Sequence, residues 1–325
     1  MSIVSPQEAI KQLNNDDVVA LPTETVYGLA GKVNSEESLK KIFQTKNRPL
    51  FDPLIVHVKN IQQAKEFGEL DQTSEALAKN YWPGPLTLVV NKTDKVSDLI
   101  TNGGDTVALR SPNHPLFLEV LNNIDSPLAA PSANMFGKTS PTEAQHVINE
   151  FDDKVSVVDG GTCKRGIEST VIKVNTLNKV IEILRPGMID KLELESFIAK
   201  NNLSYIVEYK QSPVAPGHLE HHYQPEVPLC LVTNSLDEDG LKEIKEVLGE
   251  NITEWNLPND PSVAARNLYK DLRRFSQLKI PIYIELQQTW AKDSRWKGIL
   301  DRLSKASHLS ASKQNNAWTI IQKKS

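Results

Sequence analysis

The sequence predicts an α/β protein in two parts, and three observations predict it. Short apolar runs of buried-strand type, such as Val18-Val19-Ala20-Leu21 and Leu54-Ile55-Val56-His57-Val58, alternate with capped helical stretches along the chain. At 325 residues the chain is long enough for two domains of ordinary size. Residues 209–228 carry four prolines and no apolar periodicity, which reads as a stiff, extended linker. The expected division is therefore 1–208, a linker at 209–228, and a smaller domain at 229–325.

The elements follow in order. Ser5-Pro6-Gln7-Glu8 is a capping box with proline at the first helical position, and a short helix is expected after it. The run 18–21 is a buried strand that Pro22 ends, since proline cannot donate to a ladder. Thr23, Glu24 and Thr25 then stand at a strand's C-terminal end, where open α/β sheets place ligands. Asn34 or Ser35 caps a helix running to about Gln44, with Leu39, Ile42 and Phe43 buried. Lys46-Asn47-Arg48-Pro49 follows: two cations flank one residue and proline holds the chain out of helix. These cations suit a solvated helix end as well as a ligand.

Leu54–Val58 is the next strand, with His57 inside it, the usual setting of a packed core histidine. Two short helices are expected over 60–80. Trp82-Pro83-Gly84-Pro85 is a stiff turn into the strand Leu86–Val90. Thr106–Arg110 is a strand that puts the Arg110 guanidinium at the sheet's end, either as a surface ion pair or to grip a carboxylate through two parallel bonds. A helix is expected over 114–123, and the strand 127–130 leads into the loop Pro131-Ser132-Ala133-Asn134. Ser140-Pro141-Thr142-Glu143 repeats the capping grammar and opens a helix near 141–149; Ser140 caps it, or also faces an anion at its start. Strands are expected over 155–159, 168–172 and 179–184, the last ending in Leu184-Arg185-Pro186-Gly187. Beyond the linker, strands at 229–232, 281–284 and 318–321 and helices at 236–248, 261–275 and 294–306 make a small α/β sandwich.

Composition bounds the function. An apolar fraction of 39% and a charged fraction of 24% are those of a soluble globular protein. No apolar run approaches the roughly 18 residues of a membrane helix. The start, MSIVSPQEAIKQLNNDD, lacks the basic and apolar regions of a signal peptide, so a cytoplasmic protein is expected. Cys163 and Cys230 are far apart in sequence and are expected as thiols. A formal charge of −4 argues against constitutive nucleic-acid binding. Walker, G-x-G-x-x-G and G-x-S-x-G motifs are absent. His218, His221 and His222 have metal-ligand spacing only if helical, and the surrounding prolines oppose that, so no metal site is expected there.

The order PTETVYGL, KNRP, PLIVH, WPGPLT, TVALR, APSAN, SPT, GIEST and LRPG resembles the YrdC-type domain of threonylcarbamoyl-AMP synthases. The likeness extends over the whole chain, with APGHLEHHYQP similar to the family's linker and 229–325 to its smaller C-terminal domain. It implies a twisted mixed-sheet YrdC-like α/β domain, with a smaller Rossmann-like α/β domain after it. The implied reaction makes threonylcarbamoyl-AMP and pyrophosphate from ATP, L-threonine and bicarbonate. The product passes to a tRNA threonylcarbamoyl-transferase complex that modifies adenosine in tRNA. Residue by residue, the resemblance assigns Thr23, His57, Arg110, Ala130 and Ser169 to threonine. It assigns Lys46, Arg48, Thr106, Ser132, Asn134, Ser140, Arg185, Pro216 and Tyr223 to ATP, with Lys46 and Arg48 also carrying the catalysis. WPGPLT reads as structural. One departure stands out: the family often has a basic and an aromatic residue after the linker's Pro-Gly, where this chain has His218-Leu219-Glu220.

The residue types suit that chemistry. A carbamate attacking the α-phosphorus needs no enzyme nucleophile; it needs positioning and charge neutralisation. Lys46, Arg48, Arg185 and Mg²⁺ entering with ATP would offset the triphosphate, each charged hydrogen bond contributing about 1.5–3 kcal/mol. Mg²⁺ held by phosphates and water needs no carboxylate cage. Two other readings are a carbamoyl-adenylate former for another acceptor, as in the related domain of hydrogenase-maturation proteins, and a double-stranded RNA or tRNA-binding module. The first lacks its usual acylphosphatase and zinc-finger companions; binding that loses orders of magnitude with moderate salt, and no ATP turnover, would favour the second, whereas the enzyme reading allows a weak tRNA contact at most.

Overall fold

The structure, a computed structural model, describes residues 3–210, 222–315 and 317–323. The chain divides into two compact units, Met1–Phe136 with Ser140–His218, and Gly137–Thr139 with Leu219–Ser325.

In the first unit eleven of the described strands form one mixed sheet. They are β1 (Val19–Leu21), β2 (Gly28–Lys32), β3 (Ile55–His57), β4 (Gly68–Glu69), β5 (Leu86–Lys92), β6 (Thr106–Arg110), β7 (Leu128–Ala129), β8 (Ser156–Val157), β9 (Thr170–Asn175), β10 (Val180–Arg185) and β11 (Ile206–Tyr209). Their order is β11-β10-β9-β5-β6-β3-β7-β2-β1-β8, with β4 added beside β5. Parallel pairs (β3 with β6, β5 with β9) interleave with antiparallel ones (β5 with β6, β3 with β7). This is the twisted mixed sheet that the sequence implied.

Alternation along the strands sorts their side chains onto two faces. Val56, Leu88, Leu109, Ala129 and Ile172 join the large core, together with Leu39, Ile42 and Phe43 from the helix Glu36–Lys46 and Leu77 from the helix Gln72–Tyr81. On the opposite face, Val19, Leu21, Ala30 and Leu128 pack under the helices Pro6–Asn14 and Pro115–Asn122 through Ala9, Leu13, Phe117 and Leu121. Further along that face lies a third cluster, Ile55, Val89, Ala108, Val171 and Leu184, every member of which is on a strand. It is the apolar floor of the candidate site.

Helix starts follow the capping grammar. The Ser5 and Ser35 hydroxyls accept from the Glu8 and Ser38 amides at 3.2 Å. The helix 36–46 extends two residues beyond the expected end, and Lys46 is its last residue. Asn47 then leaves in the left-handed region (φ 48°), which asparagine tolerates.

The second unit holds β12 (Leu229–Val232), β13 (Thr253–Glu254), β14 (Ile282–Glu285), β15 (Leu309–Gln314) and β16 (Ala317–Gln322), in the order β13-β14-β12-β15-β16. All neighbours are parallel except β15 with β16. The helix Pro261–Leu278 buries Ala264, Ala265, Leu268, Leu272 and Phe275, giving the small Rossmann-like layer arrangement expected. Among the described residues no helix is long and apolar enough to cross a membrane.

Candidate functional site

Strand register brings the candidate residues onto the face of the apolar floor. His57 pairs with Arg110 across β3 and β6, and Ile55 with Ala108 two residues earlier. His57 and Arg110 therefore share the face of Ile55 and Ala108, about 7 Å further along it. Across β5, Val89 pairs with Ala108, which puts Thr87 on that face as well. Val171 lies two residues beyond Ser169 and belongs to the floor. A bulge between Ile183 and Arg185 lets Leu184 join the floor while Arg185 pairs with Val171. The result is a polar row, Arg185, Ser169, Thr87, Arg110 and His57, beside an apolar one.

Each member of the row is fixed from behind. Arg110 donates from Nε to the Gly84 carbonyl (3.2 Å), and its Nη2 pairs with Glu24 Oε1 at 2.7 Å. Both side chains are buried. Glu24 also accepts from the Asn113 amide at 3.0 Å. Arg185 donates from Nε and Nη2 to the Ser169 carbonyl (3.1 and 3.0 Å) and from Nη2 to its hydroxyl (3.0 Å). A residue predicted for threonine and one predicted for ATP are thus in direct contact. Gly187 of LRPG lies against this corner: a Cβ there would come within 2.5 Å of the Thr170 amide. Burial, then the Arg110 charge, holds the His57 imidazole down at about 3, from its ordinary 6.5. It is therefore a neutral ring near pH 7, tilted against Phe117 at 5.2 Å.

The cations form a second group. Lys46 is almost wholly buried and donates from Nζ to the carbonyls of Ser132 (2.6 Å) and Asn134. Burial, then the Arg48 charge, pushes its ammonium well below 10.5, while Asp52 and Glu150 oppose the shift. Arg48 donates to the carbonyls of Asp52 (3.1 Å) and Pro53 (2.9 Å) and pairs with the fully buried Asp52 carboxylate at 2.8 Å. Thr106 begins β6, paired with Asn91 and about 13 Å along the strand from Arg110.

Other predicted residues take different places. The Thr23 hydroxyl closes its own turn: it donates to the Val26 carbonyl (2.6 Å) and accepts from the Thr25 and Val26 amides (both 3.1 Å). Ala130 donates its amide to Ile55 (3.1 Å) at the edge of the floor. Ser140 does not cap the next helix. That helix begins at Ala144 behind Glu143, and Ser140 instead hydrogen-bonds the Glu168 carboxylate at 2.6 Å, both buried. Tyr223 belongs to the second unit, where its ring is buried, stacked on Tyr269 (5.6 Å) and under the Arg302 guanidinium (5.5 Å). Pro216, His218 and His221 lie outside the described residues. The sequence pointed to Glu24 only as one of three polar residues at a strand end and assigned no role to Asp52, Thr87 or Glu168; the structure shows all four against the assigned residues.

No group of three or more potential metal ligands occurs among the described residues. The buried carboxylates Glu24, Asp52 and Glu168 are engaged by Arg110, Arg48 and Ser140.

Comparison with known proteins places the chain in a family. Residues 11–187 match the Sua5/YciO/YrdC family, described as "Telomere recombination", and 172–308 match the threonylcarbamoyl-AMP synthase C-terminal domain. The threonylcarbamoyl-AMP synthase of Bacillus subtilis is 39% identical over 241 residues, 72% of this chain and 69% of that one. That of Pyrococcus abyssi is 36% identical over 314 residues, 89% of this chain and 90% of that one. The crystal structure of P. abyssi Sua5 complexed with L-threonine aligns with a TM-score of 0.81 at 30% identity, covering 94% of this chain and 98% of that one. The chain belongs to the Sua5/YciO/YrdC family, in its two-part threonylcarbamoyl-AMP synthase form.

Proposed function

We propose that the chain joins L-threonine, bicarbonate and the AMP part of ATP into threonylcarbamoyl-AMP, releasing pyrophosphate and water. The polar row over an apolar floor supports this reading most. An amino acid needs a cation for its carboxylate, hydroxyl partners and apolar surface for its methyl. Arg110, Ser169 and the Ile55–Ala108 floor lie together for that purpose. The P. abyssi relative, crystallised with L-threonine, supports the same reading.

In this reading the Arg110 guanidinium takes the threonine carboxylate. Its Nε donates to the Gly84 carbonyl and its Nη2 faces the Glu24 carboxylate as an ion pair, so the ligand is met from its Nη1 side. Ser169, Ala130 and neutral His57 line the amino acid, while Thr23 shapes the turn beside it. The threonine amine attacks a carbon dioxide equivalent to give a carbamate. The carbamate oxygen attacks the α-phosphorus, and pyrophosphate leaves. Lys46, Arg48, Thr106, Ser132, Asn134, Ser140 and Arg185 serve the nucleotide, with the cations neutralising phosphate charge as it moves to the leaving group. Mg²⁺ arriving with the triphosphate would add to this charge neutralisation, and since the nearby carboxylates are already engaged, phosphate oxygens and water rather than side chains would hold it. The product then serves tRNA modification through a separate transferase complex. The buried free thiols of Cys163 and Cys230 fit a reducing cytoplasm.

The test is pyrophosphate release from ATP with threonine and bicarbonate omitted in turn. Release should require both. Turnover that continues without either one refutes the reaction.

A further inference from the structure

We propose that Thr87, inside the WPGPLT segment, is a positioning residue for threonine: it sets the direction of the Ser169 hydroxyl. The inference rests on the reading above, in which Ser169 faces the amino acid. Thr87 is fully buried on β5, and its Oγ1 lies 2.7 Å from Ser169 Oγ. Among the described residues its hydroxyl makes no other hydrogen bond. Valine has the same shape and suits a buried strand better, because a buried hydroxyl costs free energy unless it has a partner. Neither the strand nor the core calls for an oxygen at this position; only Ser169 uses it.

The direction of each bond follows from donor chemistry. A guanidinium only donates, so Ser169 Oγ must accept from Arg185 Nη2 at 3.0 Å. One lone pair and one proton then remain on the serine oxygen. In the first arrangement Ser169 gives its proton to Thr87, and only a lone pair, no proton, is left for the cleft. In the second, Thr87 turns its own proton onto Ser169. The serine oxygen then accepts from both neighbours, and its proton can go only to a third group that accepts. Arg110 stands in the next row position, one step beyond the Leu88–Leu109 pair, so a carboxylate on its guanidinium is the acceptor at hand. Thr87 thus holds the serine proton in reserve and supports it from behind when the amino acid arrives. Rotating two hydroxyls moves no heavy atom.

The experiment uses the full chain with Thr87→Val, Thr87→Ser and Ser169→Ala, titrating L-threonine and ATP separately by calorimetry and recording thermal unfolding. Thr87→Val should weaken threonine about tenfold, the worth of one hydrogen bond. ATP affinity and unfolding temperature should stay as in the unaltered chain. Thr87→Ser, which keeps the hydroxyl, should restore threonine binding to within about threefold of that chain. Equal or tighter threonine binding by Thr87→Val, with Ser169→Ala weakened, overturns this inference and leaves the parent reading standing. Parallel losses of threonine, ATP and thermal stability show a merely structural role and also overturn it. An unaltered chain that binds no threonine refutes both.

Discussion

Glu24 and Arg110 form an ion pair at 2.7 Å with both side chains about 95% buried, although 86 positions separate them in the sequence. Burying two charges is costly, and their attraction repays the cost only while both are present. Arg110→Met leaves the Glu24 carboxylate buried without its cation, so it should lower stability to urea by about 3–5 kcal/mol. Adding Glu24→Gln should recover most of that loss while threonine binding stays absent. A double variant no more stable than Arg110→Met would show that the pair is not the source of the cost.

His57 gives the folded state a sign-definite response to acid. Its folded imidazole takes a proton only near pH 3, whereas an unfolded one does so near 6.5. Between those values the unfolded chain binds more protons, so stability falls as pH falls. The contribution is complete above 6.5 and lost as pH approaches 3. In His57→Gln the slope of unfolding free energy against pH in that window should be shallower by up to about one proton, or about 1.4 kcal/mol per pH unit. Equal slopes in the two chains would mean the ring is protonated in the fold.

Lys46→Met separates charge from packing. The wild-type ammonium is buried and held well below 10.5, so its removal relieves a desolvation cost while stranding the Ser132 and Asn134 carbonyls. These effects oppose one another, and the fold should survive. ATP affinity should fall about 10- to 150-fold, the worth of one charged hydrogen bond. Calorimetric titration with ATP, beside a thermal melt, checks both halves. Unchanged ATP affinity would remove Lys46 from the nucleotide site.

Much of this was legible because strands and caps are local. Arg110 reads as the end of a strand from its neighbours alone, and Leu39, Ile42 and Phe43 face the core as their spacing requires. What could not be read depends on distant partners. Glu24 is one polar residue in a turn until Arg110 folds against it. Ser140 matches the capping grammar, yet Glu168 takes its hydroxyl and the helix starts four residues later. Strand β2 escaped because Gly28 and Gly31 interrupt the apolar pattern. Those glycines answer to packing, since a Cβ at 28 would meet the Ala130 Cβ at 3.1 Å and one at 31 the Ile42 side chain at 3.0 Å. Strand β15, LSASKQ, has no run of apolar residues to announce it.

The choice between threonine and serine is set by the floor beside the polar row. The two amino acids differ by a methyl, and one methyl in an apolar pocket is worth about 1–3 kcal/mol, or about 10- to 200-fold. Ile55, Ala108 and Ala130 supply apolar surface next to His57 and Arg110, so threonine should be preferred within that range and serine should still react. Competition at equal concentration, with the two adenylates separated by mass, measures the ratio of kcat/KM. Ala130→Gly trims the wall by one methyl and should narrow that ratio without changing ATP affinity. Parity between the amino acids in the unaltered chain would place the threonine side chain away from this floor.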